Sequence, residues 1–244
     1  MGFDWAGIVQ REGEALGDAA EADLTAEVPA APGWDTIELL RHVGLVHART
    51  SVILQTGTTE RPSRRNGLLP EAPDGGVLDW YRATLSTLIA DLWALDDPDR
   101  TVWTFFEPDQ RAGFWPRRMA QETLIHRVDA EQAVGRPVGP IDAELAVDGV
   151  DEVFAVFVPA FAAGASPGDG RTVHLHATDA EGEWLIRFDP AGLTVETGHA
   201  TGDTAVRAPA AQLLLWLWGR RPLDGLEVFG DPAAAGALRG VTVF

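Results

Sequence analysis

Residues 114–131 read FWPRRMAQETLIHRVDAE, and the reading of the chain turns on this stretch. Trp115, Met119, Glu122, Ile125, His126 and Asp129 recur at steps of three and four, the spacing of one helix face. The spacing predicts a helix over 113–134. Glu122 and His126 stand one turn apart on a face that also carries Trp115, Met119 and Ile125, so that face is expected to point inward. An unpaired buried carboxylate is very costly, so Glu122 needs a partner. A metal ion is one such partner; a plain ion pair within the helix is another. Asp129, nearly one turn beyond His126, is placed to accept a hydrogen bond from its imidazole, or else to pair with Arg127 or Arg136.

Upstream, the pattern predicts three more helices. Residues 4–26 are helix-compatible and carry Ile8, Val9 and Leu16 among charges. Pro29, Pro32 and Gly33 then break the chain, and Asp35 or Thr36 can cap a second helix that fades near Gly57. His42 lies on its apolar face among Leu39, Leu45 and Val46, whereas His47 is expected to point elsewhere. Residues 57–76 read as a long loop, and Leu78, Tyr81, Leu85, Leu88, Ile89 and Leu92 mark a helix over 77–95. Four helices with loops between them suggest an antiparallel bundle, and facing helices of a bundle can supply one ligand from each side. Two imidazoles and one carboxylate suit zinc at a site with an open position; iron and nickel accept the same set.

Gly135, Pro137, Gly139 and Pro140 mark a boundary, which divides the chain into domains 1–138 and 139–244. A helix is expected over 142–163. From 171 the period becomes two: Val173, Leu175 and Ala177 alternate with His174 and His176, and Trp184, Ile186 and Phe188 follow the same rule. Short strands at Leu193–Val195, Ala205–Arg207 and Leu226–Phe229, an apolar helix Pro209–Trp218 and a final Ala-rich helix complete an α+β domain with a meandering sheet. His174 and His176 share one strand face, a possible metal pair but more simply a solvated face.

Composition narrows the chemistry. The formal net charge of −18 opposes nucleic acid, and no basic patch offsets it. With no cysteine, disulfides and a protein thiol nucleophile are excluded, so any thiol chemistry must use a thiol brought by a ligand. No apolar run is long enough to span a membrane, and no basic region precedes an apolar run at the N-terminus, so a cytoplasmic protein is expected. There is no P-loop, no dinucleotide fingerprint and no serine-hydrolase elbow.

Three segments carry a resemblance. Pro-Gly-Trp-Asp at 32–35 running into Leu-Leu-Arg-His-Val-Gly at 39–44, the stretch 114–131, and Leu-Leu-Trp-Leu-Trp-Gly-Arg-Arg-Pro-Leu-Asp-Gly-Leu-Glu-Val-Phe-Gly-Asp-Pro at 214–232 resemble mycothiol-dependent maleylpyruvate isomerase family proteins. The resemblance implies a DinB-like four-helix bundle followed by a sterol-carrier-like α+β domain. It implies a metal held by His42, Glu122 and His126, with zinc as the ion and mycothiol as the thiol cosubstrate. The implied reaction is addition of the thiolate to a cis double bond, rotation, and elimination to the trans product; transfer of the thiol to another small electrophile uses the same nucleophile. The implied partners are a small substrate and the thiol, with the chain a monomer or homodimer.

Arg220 follows the apolar helix, just past Gly219, within the resembling C-terminal segment. A metal with two imidazoles and one carboxylate contributes about one net positive charge, too little to hold a dicarboxylate alone. Arg220 is therefore expected to clamp a substrate carboxylate, the alternative being a cap on the helix C-terminus. Two other functions stay open: a hydrolase whose zinc carries water, and a non-catalytic small-molecule-binding protein with a structural metal.

Overall fold

The computed structural model describes residues 2–242. The chain is α+β and divides into two compact units, Met1–Gly139 and Pro140–Phe244. No helix among the described residues is long and apolar enough to cross a membrane.

The first unit holds α1 (Trp5–Ala20), α2 (Thr36–Thr56), α3 (Val77–Trp93) and α4 (Phe114–Ala133). They pack as a ring in which α1 lies between α4 and α3, and α2 between α3 and α4. Side chains start the first two: Asp4 accepts from the Gly7 N–H and Asp35 from the Glu38 N–H. α1 stops before the expected 26. Asp23 accepts from both the amide and the hydroxyl of Thr25, a local turn that competes with helix. Gly57, at φ 66°, closes α2 in the left-handed conformation that favours glycine. Gly44 permits close packing on α3, because a Cβ there would fall 2.3 Å from the Trp80 ring.

α4 is more deeply enclosed than an amphipathic stripe suggests. Arg118, Gln121, Thr123 and Arg127 are buried along with the apolar face. Arg127 is held by two carboxylates, with Nε donating to Glu12 at 2.9 Å and Nη1 to Glu131 at 2.7 Å. Glu12 is itself buried on α1, so this ion pair ties α1 to α4.

In the second unit α5 (Ala143–Glu152) leads into a π-turn, Val153–Phe157, and then a short α6 (Val158–Phe161). The single helix expected over 142–163 is thus interrupted. Pro159 has no N–H to return to the preceding turn, and the wider π-turn absorbs that loss. The sheet comprises β1 (Thr172–Ala177), β2 (Glu183–Asp189), β3 (Gly192–Thr197), β4 (Thr204–Ala208) and β5 (Glu227–Phe229), in the order β3-β2-β1-β4-β5. The meander ends at β3, because β4 crosses over and joins β1 in parallel. Asp203 enforces this return by accepting from both the amide and the hydroxyl of Thr172 at 2.8 Å, which sets the start of β4 beside the start of β1. Val173, Leu175, Trp184, Ile186, Phe188 and Val206 are buried on one face with α7 (Ala210–Leu217) and α8 (Pro232–Val241).

Candidate metal centre

α2 and α4 are neighbours in the ring, and they bring His42, Glu122 and His126 together. Oε1 of Glu122 lies 3.3 Å from Nε2 of His42 and 3.3 Å from Nε2 of His126. The two imidazoles meet edge to face, with ring centroids 5.0 Å apart. One donor atom from each of the three residues lies within 4.8 Å of the others. Two ring nitrogens and one carboxylate oxygen converging from three side chains match the donor set of an open zinc site; iron and nickel tolerate it too.

The surrounding residues fix these donors. Oδ2 of Asp129, a buried carboxylate, lies 2.9 Å from Nδ1 of His126. With Nδ1 directed at Asp129, Nε2 is the ring nitrogen turned toward Glu122, and an ion bound there would displace its proton. Arg118, buried on α4, donates through Nη2 to Oε2 of Glu122 at 2.7 Å, which leaves Oε1 for the histidines. Trp34 packs its ring 5.1 Å from that of His42. The His42 side chain keeps 38% of its exposure against 14% for His126, so the cluster opens on the α2 side. His42 is therefore half-exposed rather than fully inward, and that opening gives an external ligand access.

Electrostatics follow this geometry. Burial alone would raise the pKa of Glu122, but the charge and hydrogen bond of His126, the hydrogen bond from His42 and the charge of Arg118 hold it well below the usual carboxylate range. Burial alone would lower His126, yet Glu122 and Asp129 push it up to about 9.

His47 stays out of the triad but is fully buried, with Nε2 3.1 Å from the Thr123 hydroxyl and its ring 5.8 Å from Tyr81. Burial pushes its pKa down to about 3. Arg118 and Trp34 were not singled out as site residues from sequence. The spacing of four between Arg118 and Glu122, and the tryptophan just ahead of the α2 cap, were the available signals. Arg220 belongs to the second unit, where its Nη1 donates to the Trp218 carbonyl at 2.7 Å and its guanidinium lies 6.0 Å from the Trp218 ring. That contact is of the helix-capping kind.

Residues 5–131 match the family described as mycothiol maleylpyruvate isomerase N-terminal domain. Residues 144–237 match the MDMPI C-terminal domain. Among solved structures, a crystal structure of mycothiol-dependent maleylpyruvate isomerase is 14% identical, with 92% of this chain and 91% of that chain covered and a TM-score of 0.58. A histidine-to-alanine mutant of mycothiol-dependent maleylpyruvate isomerase is 16% identical over 92% of this chain and 91% of that one, with a TM-score of 0.60. At these identities the likeness is one of fold. No curated protein sequence matches the chain.

Proposed function

Since the chain belongs to the mycothiol maleylpyruvate isomerase family, we propose that it is a metal-dependent enzyme using mycothiol to isomerise a maleylpyruvate-type cis double bond or to modify a small electrophile. The observation that carries the proposal is the convergence of His42 Nε2 and His126 Nε2 on Oε1 of Glu122. A divalent ion held by these three residues, zinc being the best fit to the donors, would supply the positive charge that keeps a thiol deprotonated at neutral pH.

The chain's own residues prepare the site. Asp129 holds the His126 ring in one orientation, and Arg118 holds Glu122. The exposed edge of His42, beside Trp34, is the side from which thiol and substrate enter. The chain has no cysteine, so the sulfur comes from the cosubstrate. Arg220 is the candidate contact for a substrate carboxylate, since a planar guanidinium binds carboxylate through two parallel hydrogen bonds. The implied partners are a small substrate and the thiol, in a cytoplasmic monomer or homodimer. Nucleic acid is disfavoured by the net charge of −18.

The test is turnover of metal-loaded protein on a panel of small electrophiles that includes maleylpyruvate, with and without mycothiol. Activity that needs mycothiol and vanishes in Glu122→Ala supports the reading. Activity that proceeds in water alone and is suppressed by thiol would make the protein a hydrolase. Tight binding of the panel with no turnover would make it a binding protein.

A further inference from the structure

The sheet of the second unit gathers the chain's other three histidines. His174 and His176 lie two apart on β1, so both leave the same face, opposite to buried Val173 and Leu175. Glu183, the first residue of β2, stands directly across from His176 in the antiparallel register and shares that face. His199 arrives from a third segment, the bend after β3, where the Gly198 N–H donates to the Glu183 carbonyl at 3.0 Å.

All three imidazoles point at one carboxylate. Oε2 of Glu183 lies 3.0 Å from Nε2 of His174 and 2.9 Å from Nδ1 of His199, and Oε1 lies 3.1 Å from Nδ1 of His176. The ring of His174 is 6.1 Å from that of His176 and 6.2 Å from that of His199. Donor atoms of His174, His176 and Glu183 all lie within 4.8 Å of one another.

This cluster is more than a solvated face. The His174 side chain keeps only 8% of its exposure, although it lies on the side of the sheet away from the helices. The loop at Gly202 presses on this residue so closely that a Cβ there would fall 3.0 Å from the His174 backbone nitrogen and 3.2 Å from its Cβ. His174 is thus held in place, and His199, 84% exposed, is the arm that can adjust. His176 and His199 also line two clefts, one of about 670 Å³ bordered by Asp151 and Trp184, the other of about 490 Å³ bordered by Arg207 and Phe229.

We propose that His174, His176 and Glu183, with His199 as a fourth arm, form a second binding site for a zinc-class divalent ion, separate from the bundle triad. A mixed imidazole and carboxylate set selects zinc, cobalt, nickel or copper over calcium and magnesium, which require oxygen ligands. The ion takes the place of the protons that the imidazoles now direct at Glu183. Through His199 it clips the 198–203 loop to the sheet, and the two clefts give an exogenous ligand access to it.

The experiment is a zinc titration of the metal-stripped full chain, wild type against the double variant H174N/H176N, with bound ion counted after dialysis. Two ions per chain in wild type and one in the variant is the expected result. One ion in both overturns this site and leaves the bundle triad standing. One ion in wild type that disappears in the variant supports this site and overturns the triad. No ion in either overturns both. Should the variant fail to fold, anomalous scattering at the zinc edge from zinc-soaked wild-type crystals decides. A peak between His174, His176 and Glu183 supports the site, and a map with no peak there overturns it.

Discussion

Oδ2 of Asp129 lies 2.9 Å from Nδ1 of His126, one carboxylate directed at the ring nitrogen that faces away from Glu122. Both residues sit on α4, three positions apart, so the helix itself delivers the contact. The bond fixes the orientation of the His126 ring, and it leaves the other nitrogen turned toward His42 and Glu122. A metal reading therefore depends on a residue that would never touch the ion.

Asp129→Asn is expected to weaken zinc binding about 10- to 100-fold while the helical signal is kept, because the imidazole loses its orientation and part of its basicity. Competition against a chromophoric chelator measures this. An affinity equal to wild type would mean that the carboxylate serves packing alone.

Glu12→Gln strips one carboxylate from buried Arg127 while Glu131 and the Gly139 carbonyl still hold it. The expected loss is about 3 kcal/mol in urea denaturation, the low end for breaking a buried pair. Adding Arg127→Met should not recover that loss, because Glu131 would then lose its own partner. A single variant as stable as wild type would show that the pair contributes nothing.

His47 supplies a pH dependence. Its folded pKa is pushed down to about 3 from an ordinary 6.5, so above 6.5 it is neutral in both states and its contribution to stability is complete. As pH falls through the window between those values, the unfolded chain takes up a proton that the folded chain refuses. Stability then drops by up to about 1.4 kcal/mol per pH unit from this group. Urea midpoints measured at intervals from about pH 7 to about pH 4 should fall more steeply for wild type than for His47→Gln. Parallel slopes would contradict the assignment.

Arg220→Met separates two roles. As a substrate contact, the variant keeps its melting temperature and metal content but shows a raised KM or a lowered kcat/KM. As the helix cap suggested by its bond to the Trp218 carbonyl, it melts earlier yet keeps full specific activity when folded.

Much of this architecture was legible in the sequence because local chemistry set it. Asp35 and Gly57 delimit α2, and the alternation around Val173 and Trp184 marks β1 and β2. The grouping of His42 with Glu122 and His126 was reached from helical spacing and from the resemblance, and the structure brings those three together. What escaped depends on contacts distant in sequence. Parallel pairing of β4 with β1 rests on Asp203 reaching Thr172, which no periodicity encodes. Burial of Arg118 and Arg127 inside α4 contradicts a two-faced helix, since each arginine is matched by a carboxylate that hydropathy does not see. Likewise, His174 and His176 read as a solvated pair until β2 and the bend after β3 place Glu183 and His199 beside them.

The central claim is that His42, Glu122 and His126 hold a metal that accepts a thiol, and cobalt spectroscopy tests it most directly. The chain carrying His174→Asn and His176→Asn, loaded with one cobalt(II) ion, offers only the bundle triad among the described three-residue groups. Titration with mycothiol is predicted to produce a new thiolate-to-cobalt charge-transfer band that saturates at one thiol per metal. A cobalt spectrum unchanged at saturating mycothiol, while a small anion still shifts it, would contradict the account.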